Sequence, residues 1–336
     1  MVATILLVDA DLSSRSSWED LLSNQGYKVF TAESGRAALE DCARIQPDLV
    51  LIESSLPDLD SSHLCSELKS GFHTRTAASV LMLPPDASSA AYPHETDVDD
   101  YWGRPASRWE VLNRVQSLLR LRSYIDQQAE SVLLSLAQGI EAKDPGIHEH
   151  CQRVVHYALR LGESLNLCVE DLAVLRLAGL VHDLGKVMIP DSILFKPGPL
   201  TAEEMEIVRQ HPVVGENICA PIHCFRDVLP VIRHHHEFLD GTGYPDHLSG
   251  DKIPLLARIL QIADVYDALT IDRPYRKAIS HAEALKTLWS EAVAGRLDSF
   301  LVNRFAEIFE KSNGVPFANK RRSMLADYYS LPSFEQ

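Results

Sequence analysis

The chain has 336 residues, 46% of them hydrophobic and 24% charged, and a net charge of −15. That length and apolar content support two domains with separate cores and exclude low-complexity disorder. The acidic balance argues against sequence-independent binding to nucleic-acid backbones, but leaves room for a small phosphate ligand held by a local cluster of cations. The longest apolar runs, such as Thr4–Val8 and Leu49–Ile52, fall far short of the roughly 20 residues that cross a bilayer. No basic-apolar-small segment precedes them, so no membrane insertion and a cytoplasmic location are expected. Cys42, Cys65, Cys151, Cys168, Cys219 and Cys224 form no CxxC pair and read as core or surface thiols.

In chain order, residues 3–125 alternate short apolar runs with helical stretches. Thr4–Val8 is followed by a helix from about Ser13, then Tyr27–Thr31, a helix from about Gly35, and Asp48–Ile52. That rhythm predicts βαβ units and a parallel sheet. Ser107 with Glu110 is a capping-box start for a long helix. Along it, Val111, Val115, Leu118, Arg122, Ile125, Ala129, Val132 and Leu136 recur at steps of four and three, the spacing of a coiled-coil seam. Two readings follow: a helix packed on its own chain, or a parallel homodimer helix linking a sensor to an effector. After about residue 130 strand-like runs disappear, and a helical period marked by Cys151, Val154, Val155, Ala158, Leu159 and Gly162 predicts an all-α second domain.

The first segment resembles the receiver domains of two-component response regulators over roughly residues 3–122. The resemblance is carried by Ile5-Leu6-Leu7-Val8-Asp9, by Pro47 to Glu53 followed by Leu56-Pro57, and by Asp100-Tyr101-Trp102-Gly103-Arg104-Pro105. It implies a flavodoxin-like α/β fold, but the phosphorylation chemistry is degenerate. Glu53 stands at the phosphoacceptor position, Ala10 replaces the second acidic residue beside Asp9, Pro84 falls at or near the hydroxyl position, and Arg104 replaces the lysine. Asp9 alone is a poor Mg²⁺ site, so no phosphotransfer is expected. Glu53 is either a relic or a fixed mimic of the phosphorylated state facing Arg104.

The second segment gathers metal-ligating residue types. His150, His182-Asp183, His211, His234-His235-His236 and Asp264 fall at successive helix-like segments. A lone helical histidine is usually structural, but this many separated stations point to a metal centre. Two adjacent helical side chains project about 100° apart, so His182 and Asp183 can straddle two ions. Imidazole with carboxylate suits Fe, Mn or Zn better than Mg or Ca, and the absence of thiolate argues against a structural zinc site. Thr201 with Glu204 reads as the capping box of the helix that delivers His211.

The run His182-Asp183-Leu184-Gly185-Lys186 resembles the HDxGK signature of HD phosphohydrolases. The run His235-His236-Glu237-Phe238-Leu239-Asp240-Gly241-Thr242-Gly243-Tyr244-Pro245 resembles the signature of their HD-GYP subgroup. Ile253-Pro254, Ala257-Arg258-Ile259, Ala263-Asp264-Val265-Tyr266-Asp267-Ala268 and Arg273-Pro274-Tyr275-Arg276 extend the likeness over roughly residues 130–315. The resemblance implies His150, His182, Asp183, His211, His235, His236 and Asp264 as metal ligands, with Asp183 bridging two divalent ions, iron first and manganese second, and His234 as a bystander. It implies Lys186, Arg273 and Arg276 as phosphate contacts, although surface ion pairing also accounts for the two arginines. Members with three metals carry a glutamate where this chain has Gly146, which favours two.

The implied activity is hydrolysis of cyclic di-GMP to the linear dinucleotide by a hydroxide that the two ions activate, with a second cut to GMP left open. Related cyclic dinucleotides stay open. Asp240, Gly241, Gly243, Tyr244 and Pro245 first read as a tight turn that fixes the histidine-bearing segment, and secondly as a loop for a protein partner. The rival from another class is a sensor or docking module that binds cyclic di-GMP without turnover; an HD nucleotidohydrolase is a third. The expected division is a receiver-like domain over 1–106, a linking helix over 107–136, an all-α HD-type domain over 137–315 and a tail over 316–336.

Overall fold

Strands that are apolar at successive positions, as in Ile5-Leu6-Leu7-Val8 and Leu49-Val50-Leu51-Ile52, need cover on both faces. The computed structural model, which describes residues 2–71, 74, 76–84, 98–103, 107–142, 149–272 and 277–310, supplies it. The chain forms two compact units, one of Met1–Val132 with Ala220–Arg226 and the other of Leu133–Cys219 with the residues from Asp227 onward.

In the first unit β1 (Thr4–Val8), β2 (Lys28–Ala32), β3 (Leu49–Glu53), β4 (Ala78–Leu83) and β5 (Asp100–Gly103) form a sheet of order β2-β1-β3-β4-β5. Every pair is parallel, which requires crossover connections. Those include α1 (Leu12–Ser23), α2 (Gly35–Ile45) and α3 (Ser61–Ser70), each started by a side-chain cap from Asp11, Ser34 or Asp60. Alternation divides the strands between two cores. Ile5, Leu7, Leu49, Leu51, Val80 and Met82 pack with Leu22, Val111 and Val115. Leu6, Val8, Val50, Ile52 and Leu81 pack with Ala38, Cys42, Leu64, Cys65 and Leu68.

The linking helix α4 spans Arg108–Ala142, with Ser107 Oγ accepting from the N–H of Glu110 at 3.1 Å. The expected seam does not keep to one face. Val111 and Val115 are buried in the first unit's core, whereas Ile125, Val132 and Leu136 are exposed. A straight helix drifts about 20° per heptad against a 3.5-residue repeat, so one stripe cannot stay on one partner along its length.

In the second unit the elements are α5 (His150–Ser164), α6 (Val169–Val181), α7 (Asp191–Leu194), α8 (Ala202–Arg209), α9 (His211–Cys219), α10 (Leu229–His234), α11 (Leu255–Thr270), α12 (His281–Val293) and α13 (Ser299–Glu310). The described residues there contain no strand, only an isolated bridge between Asp240 and Ser249. The apolar face of α5 buries Val154, Val155, Ala158, Leu161 and Gly162, and α5 packs on α6, α11 and α13. The capping box of Thr201 and Glu204 is formed. The helix it starts nevertheless ends at Arg209, and His211 opens a new one. Pro212 is the reason: without an N–H it is tolerated in a first turn and not in a helix interior. No helix among the described residues is long and apolar enough to cross a membrane.

Candidate metal centre

Helix ends bring the ligand-type side chains together. His150 is the first residue of α5, His182 caps the C-terminus of α6 with Asp183 next to it, His211 is the first residue of α9, and His235 and His236 follow α10. Asp264 alone projects from a helix interior, that of α11. The HD pair therefore lies at a junction, between α6 and the 3₁₀ turn Leu184–Met188, rather than within one helix.

Ligand atoms fall into two groups, each spanning no more than 4.8 Å: His150 with His182 and Asp264, and His211 with His235 and His236. Asp183 lies between them. Its Oδ2 is 3.9 Å from His150 Nε2 and 3.5 Å from His182 Nε2, and its Oδ1 is 3.5 Å from His211 Nε2. His150 Nε2 is 3.4 Å from Asp264 Oδ1, and the Nε2 atoms of His211 and His235 are 3.4 Å apart. Lys186 Nζ is 2.5 Å from Asp183 Oδ2.

Burial sets the protonation of the second histidine group. It pushes His211 down to about 4 and His236 to about 3, and holds His235 well below the usual imidazole range. Burial alone would raise Asp183, but Lys186, His182, His211 and His150 outweigh it and hold the carboxyl well below its usual range. Burial likewise opposes ionisation of Asp264, and His150 and His182 overcome it. Neutral imidazoles and ionised carboxylates are the states that ligate metal. His182 Nε2 is buried without a hydrogen-bond partner, a cost a cation at that point would remove. The donors present therefore fit divalent ions. Beside the cluster is a small cleft lined by His150, Asp183, Lys186 and Glu141 against Leu180, Leu184 and Leu194.

The HD domain family matches residues 135–301, and the response regulator receiver domain family matches residues 5–101. The chain is 31% identical to the cyclic di-GMP phosphodiesterase response regulator RpfG of Xanthomonas campestris pv. campestris, over 87% of this chain and 84% of the relative. The chain belongs to the HD-GYP response regulators. A cyclic di-GMP phosphodiesterase of Thermotoga maritima is 27% identical over 88% of this chain and 87% of the relative. A 3'3'-cGAMP-specific phosphodiesterase of Vibrio cholerae is 38% identical over 52% of this chain and 40% of the relative.

The HD-GYP loop braces the second histidine group from outside. Gly241 has φ +79°, and its N–H donates to Phe238 O. Asp240 Oδ1 accepts from the N–H and hydroxyl of Thr242. A Cβ at Gly243 would fall 2.3 Å from Phe238 N and 2.5 Å from Glu237 Cα, so only glycine permits that approach. It carries Tyr244 onto His236, ring centroids 4.9 Å apart, with the Tyr244 N–H donating to His236 O at 3.2 Å. Pro245 follows through a cis peptide. His234 turns the other way, its Nδ1 3.6 Å from Asp246 Oδ2. Arg104, Gly146, Arg273 and Arg276, and the tail over 316–336, lie outside the described residues.

Sequence reasoning missed three supports. Fully buried Glu237 accepts from the N–H groups of Asp246 and Leu248 and clips the loop shut. Asp267 and Arg153 form a buried pair behind His150. The available signal was spacing: Asp267 follows Asp264, and Arg153 follows His150, by three positions, one helical turn on the same face. In the receiver-like unit Asp9 and Glu53 emerge from neighbouring strands at the carboxyl edge of the sheet, where Val8 pairs with Ile52, and Pro84 follows β4. Glu53 Oε1 accepts from the N–H and hydroxyl of Ser54.

Proposed function

We propose that this protein is a metal-dependent phosphodiesterase that hydrolyses cyclic di-GMP to the linear dinucleotide at a two-metal centre in its helical domain, with a second cut to GMP left open. The carrying observation is the placement of Asp183, one carboxylate oxygen toward His150 and His182 and the other toward His211. His150, His182 and Asp264 would hold one ion, His211, His235 and His236 the other, and Asp183 both. The mixed nitrogen and oxygen donors favour iron, with manganese as the alternative. Such ions, when bound, activate water and neutralise charge on the phosphate. Lys186, beside Asp183 at the cleft, offers a cation to a non-bridging phosphate oxygen, with Arg273 and Arg276 as further contacts. In hydrolysis a water oxygen bonds to phosphorus, the ester bond to the leaving sugar oxygen breaks, and that oxygen takes a proton.

The division into 1–106, 107–136, 137–315 and 316–336 belongs to this reading, with a receiver-like domain that regulates without accepting phosphate. So does a homodimer along α4. Among the described residues from Leu121 to Ala142, every exposed one is uncharged, and Leu121, Ile125 and Val132 stand on that face. In a chain of net charge −15, an uncharged stripe that includes these apolar side chains is where two copies meet with least repulsion. The exposed tip of the GYP loop, at Thr242, Asp246 and His247, is the face it would offer a protein partner.

The test is anaerobic incubation of the Fe(II)- or Mn(II)-loaded chain with cyclic di-GMP or 3'3'-cGAMP, followed by chromatography, with Asp183→Ala as control. Linear dinucleotide formed only with Asp183 intact supports the enzyme, and the preferred substrate is the one turned over faster. No product from either at full metal occupancy leaves the binding-module reading.

A further inference from the structure

Four imidazoles of the cluster, His150, His182, His211 and His235, are oriented in two different ways. His182, His211 and His235 each bring Nδ1 to the carbonyl three residues earlier, at 3.0 Å from Gly179 O, 2.8 Å from Val208 O and 2.6 Å from Ile232 O. Each Nδ1–H thus donates to its own turn of chain, and Nε2 faces the centre. His150, like His211, opens its helix, and it directly follows Glu149, whose φ is 65°. Its Nδ1 lies instead 2.7 Å from Oδ2 of Asp267, a carboxylate with only 2% of its side chain exposed.

Arg153 holds Asp267 from the other side, with Nε 2.6 Å from Oδ1 and Nη2 3.1 Å from Oδ2. The two helices contribute symmetrically. On α5 Arg153 is one turn beyond His150, and on α11 Asp267 is one turn beyond Asp264, so each helix carries a ligand-type residue and one member of the pair behind it. A buried charge pair is an expensive way to pack two helices, and apolar residues of similar volume do so at lower cost. What the carboxylate adds is direction: behind a ligating imidazole it fixes the tautomer and the ring orientation and strengthens the donor.

We propose that Asp267, held by Arg153, is a positioning residue. It orients His150 Nε2 and so sets the affinity of the metal position shared by His150, His182 and Asp264, while at the position of His211, His235 and His236 the first two imidazoles are oriented by main-chain carbonyls and Asp267 touches none of the three. This rests on the metal-centre reading above, and the experiment separates the two.

The full chain is equilibrated with Co(II), cobalt per chain is counted by elemental analysis, and the visible absorption of the bound ion is recorded. Asp267→Asn should bind one of two Co(II) ions about 10- to 100-fold more weakly, and its remaining spectrum should match that of His150→Ala and differ from that of His211→Ala. Arg153→Lys keeps the bond from His150 to Asp267 but loses the two-pronged clamp. It should show a smaller loss at the same position, and it decides the matter if Asp267→Asn does not fold. Equal weakening of both positions, or of neither, overturns the proposal while leaving the metal centre in place. A wild-type chain that takes up no Co(II) overturns the metal-centre reading and this proposal with it.

Discussion

Gly185→Ala is the smallest change that reaches the centre without altering a ligand-type residue. A Cβ at Gly185 would stand 1.9 Å from the carbonyl oxygen of His211 and 2.6 Å from the nitrogen of Gly215, where real contacts are essentially never under 3.0 Å. Both neighbours are backbone, so no side chain can rotate away. The 3₁₀ turn Leu184–Met188 or the start of α9 must therefore give by about 1.1 Å, the difference between 3.0 Å and 1.9 Å. His211 opens α9 and moves with it. Metal sites tolerate distance errors of roughly 0.2 Å, so the variant should lose the ion nearest His211. Overpacking of this kind costs about 1–3 kcal/mol of stability, and a misplacement near 1 Å costs on the order of 100-fold in rate. Urea unfolding, metal content and cyclic di-GMP turnover would be compared with Gly198→Ala, where a Cβ meets nothing within 4 Å and no change is expected. Wild-type metal content and turnover in Gly185→Ala would mean that the turn yields without displacing His211.

The metal-free protein should be acid-sensitive. His211 at about 4 and His236 at about 3 stay neutral in the fold, while in the unfolded chain they protonate near 6.5. The unfolded state thus binds more protons below pH 6.5, and stability falls as pH drops from there toward 4. At about 1.4 kcal/mol per unit, His211 alone accounts for roughly 3 kcal/mol. His150 is shifted upward, its burial outweighed by Asp267, Asp264 and Asp183, so it opposes the trend without cancelling it. Urea midpoints that are equal at pH 7.5 and 4.5 would contradict this. Incubation with a small phosphodonor and Mg²⁺ should leave the chain unmodified by mass spectrometry, and a phosphoryl adduct removed by Glu53→Gln would show that the receiver-like unit is not degenerate. Light scattering should find a dimer that Ile125→Lys with Val132→Lys converts to monomer, since burying such side chains stabilises by about 1.5–3 kcal/mol each; a monomeric wild type would dispose of the α4 interface.

Periodicity carried the architecture. The alternation of strands and helices before residue 125 and the helices after 130 are both present in the structure, because period 2 and period 3.6 are imposed by local backbone geometry. The side-chain cap at Ser107 and the capping box at Thr201 start helices where the sequence places them. The same local rule overreached for α8, where Pro212 interrupts the expected run to His211. The seam on α4 was visible as spacing, but which turns are covered depends on what packs beside them, and spacing does not encode that.

The ligand-type residues were legible because chemistry restricts their kinds and because the HD and GYP runs are dense. What stands behind them was not. Glu237 reads as one more acidic residue beside histidines until the loop folds back and gives it two backbone N–H donors. Asp267 meets His150 across 117 positions of sequence, and only the packing of α11 on α5 makes them neighbours. By itself the sequence determined the periods, the caps and the inventory of donors, which are local properties of the chain. The tertiary structure alone decided which of those donors share a centre and which groups orient them, because burial and distance are properties of packed helices and have no counterpart in sequence spacing.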